Sequence, residues 1–282
     1  MRIDLHTHST ASDGVLAPAA LVAAAARAGV DVLGLTDHDS LDALPEAVAA
    51  AREAGIVLVP GVELSAGPVD GHDVHILGYF VDPDDRTLQE RLSFFRAARL
   101  DRAVRMVTAL SEAGIDIALA DVLALAQDGA VGRSHVARAL VNGGHAASVD
   151  EAFERYLSRG RPFYHAKSAT DPAQAVRLLL DAGAVPVLAH PGLSDADALI
   201  PALVEAGLAG IEAYHGDHSP QDRARYEHVA RSFDLLVTGG SDHHGPGTPS
   251  APLGSVDVPG HVWSDLLAHA PGNFRVVGPA AL

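Results

Sequence analysis

The chain has 282 residues, 48% of them hydrophobic, enough for one barrel-sized domain or one domain carrying an insertion, and two equal domains are disfavoured. Its formal net charge of −16 argues against an extended basic groove for duplex nucleic acid but not against phosphate substrates, because bound divalent cations reverse the local field. There is no cysteine, so neither disulfides nor thiolate-bound zinc can contribute.

Met1-Arg2 runs directly into a strand with no charged and apolar leader, and no apolar run reaches the roughly 18 residues of a membrane span, so a cytoplasmic setting is expected. That first strand, Arg2-Ile3-Asp4-Leu5, ends in His6-Thr7-His8-Ser9. Alternation along extended backbone sends both imidazoles to one side, and Asp13 follows five residues after His8. A helix over residues 17–29, opened by Pro18 and closed by Gly29, leads to the strand Val32-Leu33-Gly34-Leu35 and the polar loop Thr36-Asp37-His38-Asp39. A second helix over residues 41–54 leads to Ile56-Val57-Leu58-Val59 and a loop carrying Glu63. A hairpin around residues 68–71 then precedes a strand over residues 73–79 that holds His75.

From about residue 83 the rhythm changes. Thr87-Leu88-Gln89-Glu90 reads as a capping box opening a long helix to about residue 113, and shorter helices follow over residues 121–126, 134–141 and 148–157. No strand signal returns until Val185, so residues 84–166 are expected to be an all-helical insertion contributing to substrate binding, with the barrel and its site in residues 1–83 and 167–282. Asp171-Pro172 opens the next helix; strands over residues 185–189, 210–214 and 235–238 run into His190, His215 and Asp242-His243-His244, with a helix over residues 195–206 between the first two. A short helix around residues 263–269 and a strand over residues 274–277 complete the pattern. About seven strands alternating with helices imply a parallel, barrel-like α/β fold.

In such barrels the residues just after the strand ends converge at one mouth. Here that mouth would collect His6, His8, Asp13, His38, Glu63, His190, Asp242 and His244, with His75 from the hairpin strand. Any one of them alone reads as a turn or solvated residue. Turn formation does not require His, Asp or Glu after nearly every strand, and imidazole plus carboxylate suits Mn, Zn or Fe. Nine donors exceed the need of one ion, so two or three divalent metals are expected, with Glu63 as the candidate bridge.

In chain order, His6-Thr7-His8-Ser9, Asp13-Gly14, Thr36-Asp37-His38-Asp39, Gly61-Val62-Glu63, His75-Ile76-Leu77-Gly78, Leu188-Ala189-His190-Pro191-Gly192 and Gly240-Ser241-Asp242-His243-His244 resemble the motifs of the polymerase and histidinol phosphatase (PHP) superfamily, over residues 1 to about 250. The insertion, with Gly132-Arg133-Ser134-His135-Val136-Ala137-Arg138, is similar to the branch holding 3′,5′-nucleoside bisphosphate phosphatases and 5′ to 3′ exoribonucleases. The resemblance implies a distorted, TIM-like seven-stranded βα barrel with a trinuclear centre. Carried over motif by motif, His6, His8, Glu63 and Asp242 would hold one ion, Glu63, His75 and His190 a second, and Asp13, His38 and His244 a third. Asp13 stands where some relatives place histidine, and Ser134 where this branch often has proline.

Arg133 and His135 open a helix whose N–H groups and dipole also favour an anion, which makes them candidates for gripping a second phosphate. Lys167 and Arg161 are weaker candidates by position. Arg99, Arg102 and Arg105 recur every three residues and read as a solvated face, with an electrostatic funnel for an anionic substrate or RNA end as the competing reading. His190, His215 and His243 are candidate proton donors to a leaving oxygen. The expected function is a metal-dependent phosphoesterase on small phosphorylated nucleotides, most of all 3′,5′-nucleoside bisphosphates, with 5′ to 3′ trimming of short RNA as an extension and neither duplex DNA nor membrane as a partner. The alternatives are a histidinol-phosphate phosphatase and a non-catalytic nucleotide-binding module.

Overall fold

The computed structural model describes residues 1–69, 72–166, 170–194, 196–272 and 274. Seven strands lie side by side in chain order: β1 (Ile3–Asp4), β2 (Val32–Leu35), β3 (Val57–Val69), β4 (His72–Tyr79), β5 (Val185–Leu188), β6 (Gly210–His215) and β7 (Leu236–Gly240). The ends meet where the Leu5 N–H donates to the Gly239 carbonyl at 3.1 Å and Thr7 bridges His243, curling the sheet into a nearly closed barrel. The helices are α1 (Pro18–Arg27), α2 (Leu44–Ala54), α3 (Arg86–Glu112), α4 (Leu119–Ala126), α5 (Arg133–Asn142), α6 (Val149–Ala152), α7 (Pro172–Asp181), α8 (Pro191–Ser194), α9 (Ile200–Glu205), α10 (Pro220–Phe233) and α11 (Gly260–Ala268).

The pairing is parallel except around β4, which runs antiparallel to both β3 and β5. The expectation of a parallel barrel is corrected there: β4 follows β3 with no room for a crossover, so it must come back down. β3 is also longer than expected. Pro60 and Gly61 do not end it, and Glu63 lies within the strand, opposite Leu77, rather than in a following loop.

Alternation sorts the strand residues into two cores. Leu33, Leu58, Ile76 and Leu188 face outward and pack with Leu21, Leu44 and Leu179 of the surrounding helices. Ile3, Val57, Val59, Leu77, Tyr79 and Val187 belong to an inner core joined by Trp263 and Leu266 of α11. The inward set of β3 that begins with Val57 and Val59 continues to Glu63, and on antiparallel β4 the same face reads His75, Leu77, Tyr79. One end of the barrel interior is therefore apolar and the other polar. Between β4 and β5 the chain is helical, and Met106, Leu110, Val136 and Leu140 form a third core there.

Several boundaries differ from expectation for local reasons. Asp85, not Thr87, caps α3, its side chain accepting the Leu88 N–H at 3.0 Å. In place of the expected helix over residues 195–206 the chain forms a 3₁₀ turn over Asp197–Leu199 and then α9, where Pro201 sits at the helix start and its missing N–H does least harm; the short α8 precedes that span. The segment after Ser148 widens into a π-helical turn over Phe153–Leu157. α2 starts at Leu44, one residue before Pro45. The tip of the β3–β4 hairpin, at residues 70 and 71, and the strand expected over residues 274–277, beyond Phe274, lie outside the described residues.

Two glycines permit the closest approaches at the β1 seam. A Cβ on Gly34 would overlap the Leu5 backbone, and one on Gly240 would overlap the backbone N and Cβ of His6. Neither obstacle is a flexible tip. Gly34→Ala and Gly240→Ala should therefore each destabilise the protein by about 3 kcal/mol, measured as a lowered urea midpoint; an unchanged midpoint would show that β1 moves freely.

Candidate metal centre

The polar end of the barrel gathers all nine residues singled out in the sequence. Glu63, 1% exposed, is their hub. Its Oε2 lies 3.3 Å from His6 Nε2, 3.2 Å from His8 Nε2 and 3.0 Å from His38 Nδ1, while its Oε1 lies 2.7 Å from His75 Nδ1 and 3.1 Å from His190 Nε2. Asp242 Oδ1 approaches His8 Nε2 at 3.0 Å and His6 Nε2 at 3.3 Å, and Asp13 Oδ1 approaches His244 Nε2 at 3.2 Å. Three groups of these residues bring one donor atom each within 4.8 Å of one another: His6, His8, Glu63 and Asp242; His38, Glu63 and His75; and His8, Asp13, His38 and His244.

The donor set fits cations. The buried atoms His6 Nε2, His8 Nε2, His38 Nδ1, Glu63 Oε2, Asp13 Oδ1 and Asp242 Oδ1 have no hydrogen-bond partner, although such atoms are costly to leave unsatisfied. Electrostatics points the same way. Burial alone would lower the His6 and His8 imidazoles, yet the carboxylates of Glu212, Asp242 and Glu63 hold His6 well above its usual value, and the adjacent carboxylates of Asp242 and Glu63 push His8 up to about 10. Burial would raise Asp13, Glu63 and Asp242, but the surrounding imidazoles hold all three well below the usual carboxylate range. The centre carries more negative charge than it can balance without protons on nitrogen, and divalent ions would take the place of those protons. His38 differs: burial, with the Arg99 charge, pushes it down to about 3, so it is neutral and free to ligate.

Backbone and surrounding side chains hold this set in place. His190 and Asp242 both have positive φ, 26° and 51°, so each strand end turns sharply before its side chain is presented. The His190 N–H donates to Glu212 Oε2 at 2.9 Å, and His6 Nδ1–H faces Glu212 Oε1 at 3.1 Å. Glu212 is thus tied to two members of the centre, fixing the His6 tautomer so that Nε2 points at Glu63. Asp4 accepts from the Ser241 N–H and hydroxyl and the Gly254 N–H, and Asp37 accepts from Ser9 and Ser12, so two buried carboxylates clamp the loops that bear the ligand candidates. Sequence reading passed over Glu212; its signal was a carboxylate at an inward position in the middle of an apolar strand.

Beyond the centre opens a cavity of about 450 Å³. Its lining includes Arg99, Arg102, Arg133, Arg138 and Arg159 together with Asp13, Glu63 and Asp242. The expected solvated face on α3 is corrected: Arg99 and Arg102 are each only 8% exposed, and Arg105 alone of the three is open, at 42%. Arg99 pairs with Asp39 and donates to Ser65, while Arg102 binds Asp73 at 3.2 Å and the His165 carbonyl at 2.7 Å. Arg133 also meets Asp73, at 3.2 Å, and its guanidinium lies over the rings of Phe153 and Tyr164.

Other expected site residues fall elsewhere. His135 is 1% exposed, accepts the Gly132 N–H on Nδ1 at 2.9 Å and is absent from the cavity wall; it caps its own helix and burial pushes it down to about 4, which corrects the expectation that it grips a phosphate. Arg161 lines a shallow neighbouring depression instead of the cavity, and Lys167 lies outside the described residues. Of the three candidate proton donors, His190 lines the cavity, His215 is 1% exposed with Nε2 3.7 Å from Asp242 Oδ2, and His243 donates Nδ1–H to the Ala251 carbonyl at 2.8 Å away from the lining.

Glu212→Gln can satisfy one of its two donors but sets its own NH₂ against the other. Affinity for added Mn should fall by between about ten- and a hundredfold with the fold intact, read by titration of the metal-stripped protein; wild-type affinity would leave Glu212 without an orienting role.

Comparison with known proteins agrees with this architecture. The chain is 35% identical to a 3′,5′-nucleoside bisphosphate phosphatase of Chromobacterium violaceum over 99% of both chains, and 36% identical to a 5′-3′ exoribonuclease of Escherichia coli over 86% of this chain and 85% of that one. A solved Chromobacterium violaceum amidohydrolase with bound sulfate and no metal superposes with a TM-score of 0.88 at 34% identity, covering 100% of this chain and 99% of that chain. A Bifidobacterium adolescentis protein assigned to the metal-dependent phosphoesterases gives a TM-score of 0.88 at 32% identity over 95% and 96%. The PHP domain model matches residues 4–161. Fold, donor set and relatives together place the chain in the PHP domain family, as a metal-dependent phosphoester hydrolase.

Proposed function

We propose that the protein removes the 3′ phosphate of 3′,5′-nucleoside bisphosphates, leaving a 5′-nucleotide. One observation carries the reading: a single cavity joins the imidazole and carboxylate centre to a wall of arginines supplied by the helical segment. A ligand with two phosphates has one for the donor centre and one for the arginines of the same cavity. The helical segment, residues 84–166, is on this reading the substrate-binding insertion of the barrel. The name of the Chromobacterium violaceum relative supports the same substrate.

His6, His8, Glu63 and Asp242 would hold one ion, Glu63, His75 and His190 a second, and Asp13, His38 and His244 a third, the metals being Mn, Zn or Fe. Divalent ions bound there supply Lewis acidity, activation of water and neutralisation of charge on the phosphoryl oxygens. The protein does the rest. Glu63 and Asp242 fix the imidazole nitrogens at one point, and Arg133, the most open of the arginines paired with Asp73, grips the remote phosphate by charge-assisted hydrogen bonds. His215 is 1% exposed and neither it nor His243 lines the cavity, while His190 offers its Nε2 to Glu63. We assign that proton to water in the cavity.

Trimming of short RNA from its 5′ end is the second reading, favoured by the exoribonuclease relatives at 36% and 37% identity. A histidinol phosphate would place a cationic amine against the arginine wall. A non-catalytic module has no need of nine converging donors.

Metal-stripped protein supplied with Mn, Zn or Fe should release phosphate from adenosine 3′,5′-bisphosphate with kcat/KM at least about a hundredfold above that for AMP or histidinol phosphate, as expected when a second phosphate contributes more than one charge-assisted hydrogen bond. Absence of hydrolysis with every metal on nucleotides, histidinol phosphate and 5′-phosphorylated oligoribonucleotides would end the proposal. Arg133→Ala should raise KM for the bisphosphate about tenfold while changing kcat less; an unchanged KM removes Arg133 from the phosphate site.

A further inference from the structure

Asp13 lies where the barrel meets the helical segment. Its two oxygens have different partners. Oδ1 points into the centre, 3.2 Å from His244 Nε2 and 4.0 Å from His8 Nδ1, buried and without a hydrogen bond. Oδ2 points away from it and accepts the Ser134 hydroxyl at 2.7 Å. Ser134 stands 121 residues later in the chain, in the first turn of α5 beside Arg133, and both side chains line the cavity. The start of α5 lies close as well: a Cβ on Gly132 would be 3.5 Å from the same Oδ2.

A carboxylate with one bare oxygen facing imidazoles can rotate to present either atom, and the entropy of that rotation is lost when an ion is bound. A hydroxyl holding the other oxygen removes the freedom in advance. The barrel itself supplies no such donor to Oδ2 among the described residues; the donor comes from the helical segment. We propose that Ser134 is a positioning residue for the cation held by Asp13, His38 and His244, so that the helical segment sets how tightly this third position is filled. The inference rests on the metal reading of the Asp13 cluster given above. It assigns Ser134 no contact with the reacting phosphate.

The test is Mn titration of metal-stripped wild type, Ser134→Ala, Ser134→Thr and Asp13→Ala, with free Mn followed by its electron paramagnetic resonance signal. Asp13→Ala is expected to bind one ion fewer than wild type. Ser134→Ala is expected to bind the full number, with the weakest site loosened by about tenfold or more and the tighter sites unchanged. Ser134→Thr keeps the hydroxyl and restores the wild-type affinity, a rescue that a role for the small side chain in packing would not give. If Asp13→Ala loses an ion while Ser134→Ala binds every ion as tightly as wild type, the positioning role is overturned and the metal reading stands. If Asp13→Ala binds as many ions as wild type, both are overturned.

Discussion

Glu63 is a carboxylate sealed from solvent with five imidazole nitrogens within 3.3 Å of its two oxygens. An anion so placed is tolerable only if positive charge is delivered to it, and the imidazoles can deliver charge as protonated cations or by sharing divalent ions with it. Much of the surrounding structure follows from that constraint. β3 must stay extended through Pro60 and Gly61 to bring Glu63 to the interior, and β4 must descend beside it to bring His75 opposite. Glu212 and Asp4, themselves buried carboxylates, spend their lone pairs on backbone N–H groups and on His6 and Ser241, so that they brace the centre instead of adding free charge to it.

The helical segment is joined to the barrel by the same kind of chemistry. Arg99 reaches from α3 to Asp39 and Ser65, and Arg102 and Arg133 converge on Asp73 of β4. Each contact places a guanidinium where its charge is partly spent on a barrel carboxylate and partly projected into the cavity. Burial above all keeps His38 neutral, and the Arg99 charge adds to it, so the docking of α3 bears on the state of a ligand candidate as well as on the shape of the pocket.

The sequence made the centre legible because metal-type residues recur where a strand alternation runs out. His6 and His8, two apart on extended backbone, needed only the periodicity of a strand to be placed on one side. Glu63 was recognised by type but set in the wrong element, since Pro60-Gly61 is a strong local stop signal that the two flanking strands override. Arg99 and Arg102 read as solvated because their partners, Asp39 and Asp73, lie far back in the chain, while the one acid inside the repeat, Asp101, pairs with the exposed Arg105. Glu212 was hidden for the opposite reason: it sits inside β6, and attention to strand ends passes over a residue whose meaning comes from its neighbours across the barrel. The antiparallel direction of β4 explains why His75 precedes its apolar partners Leu77 and Tyr79, where the parallel strands lead with theirs.

The seam between β1 and β7 also sets an order of events during synthesis. The centre draws on His6 and His8 at the seam's first edge and on Asp242 and His244 just past its last, and Leu5 finds its partner only at Gly239. A chain emerging from the ribosome can build helices and the β3–β4 hairpin early, but the loop between the two edges must close last and at high entropic cost. Until then Glu63 has lost Asp242 as its companion and the barrel has two open edges. The donor set is complete only once residues up to His244 have emerged, so the same closure that joins β1 to β7 also finishes the site.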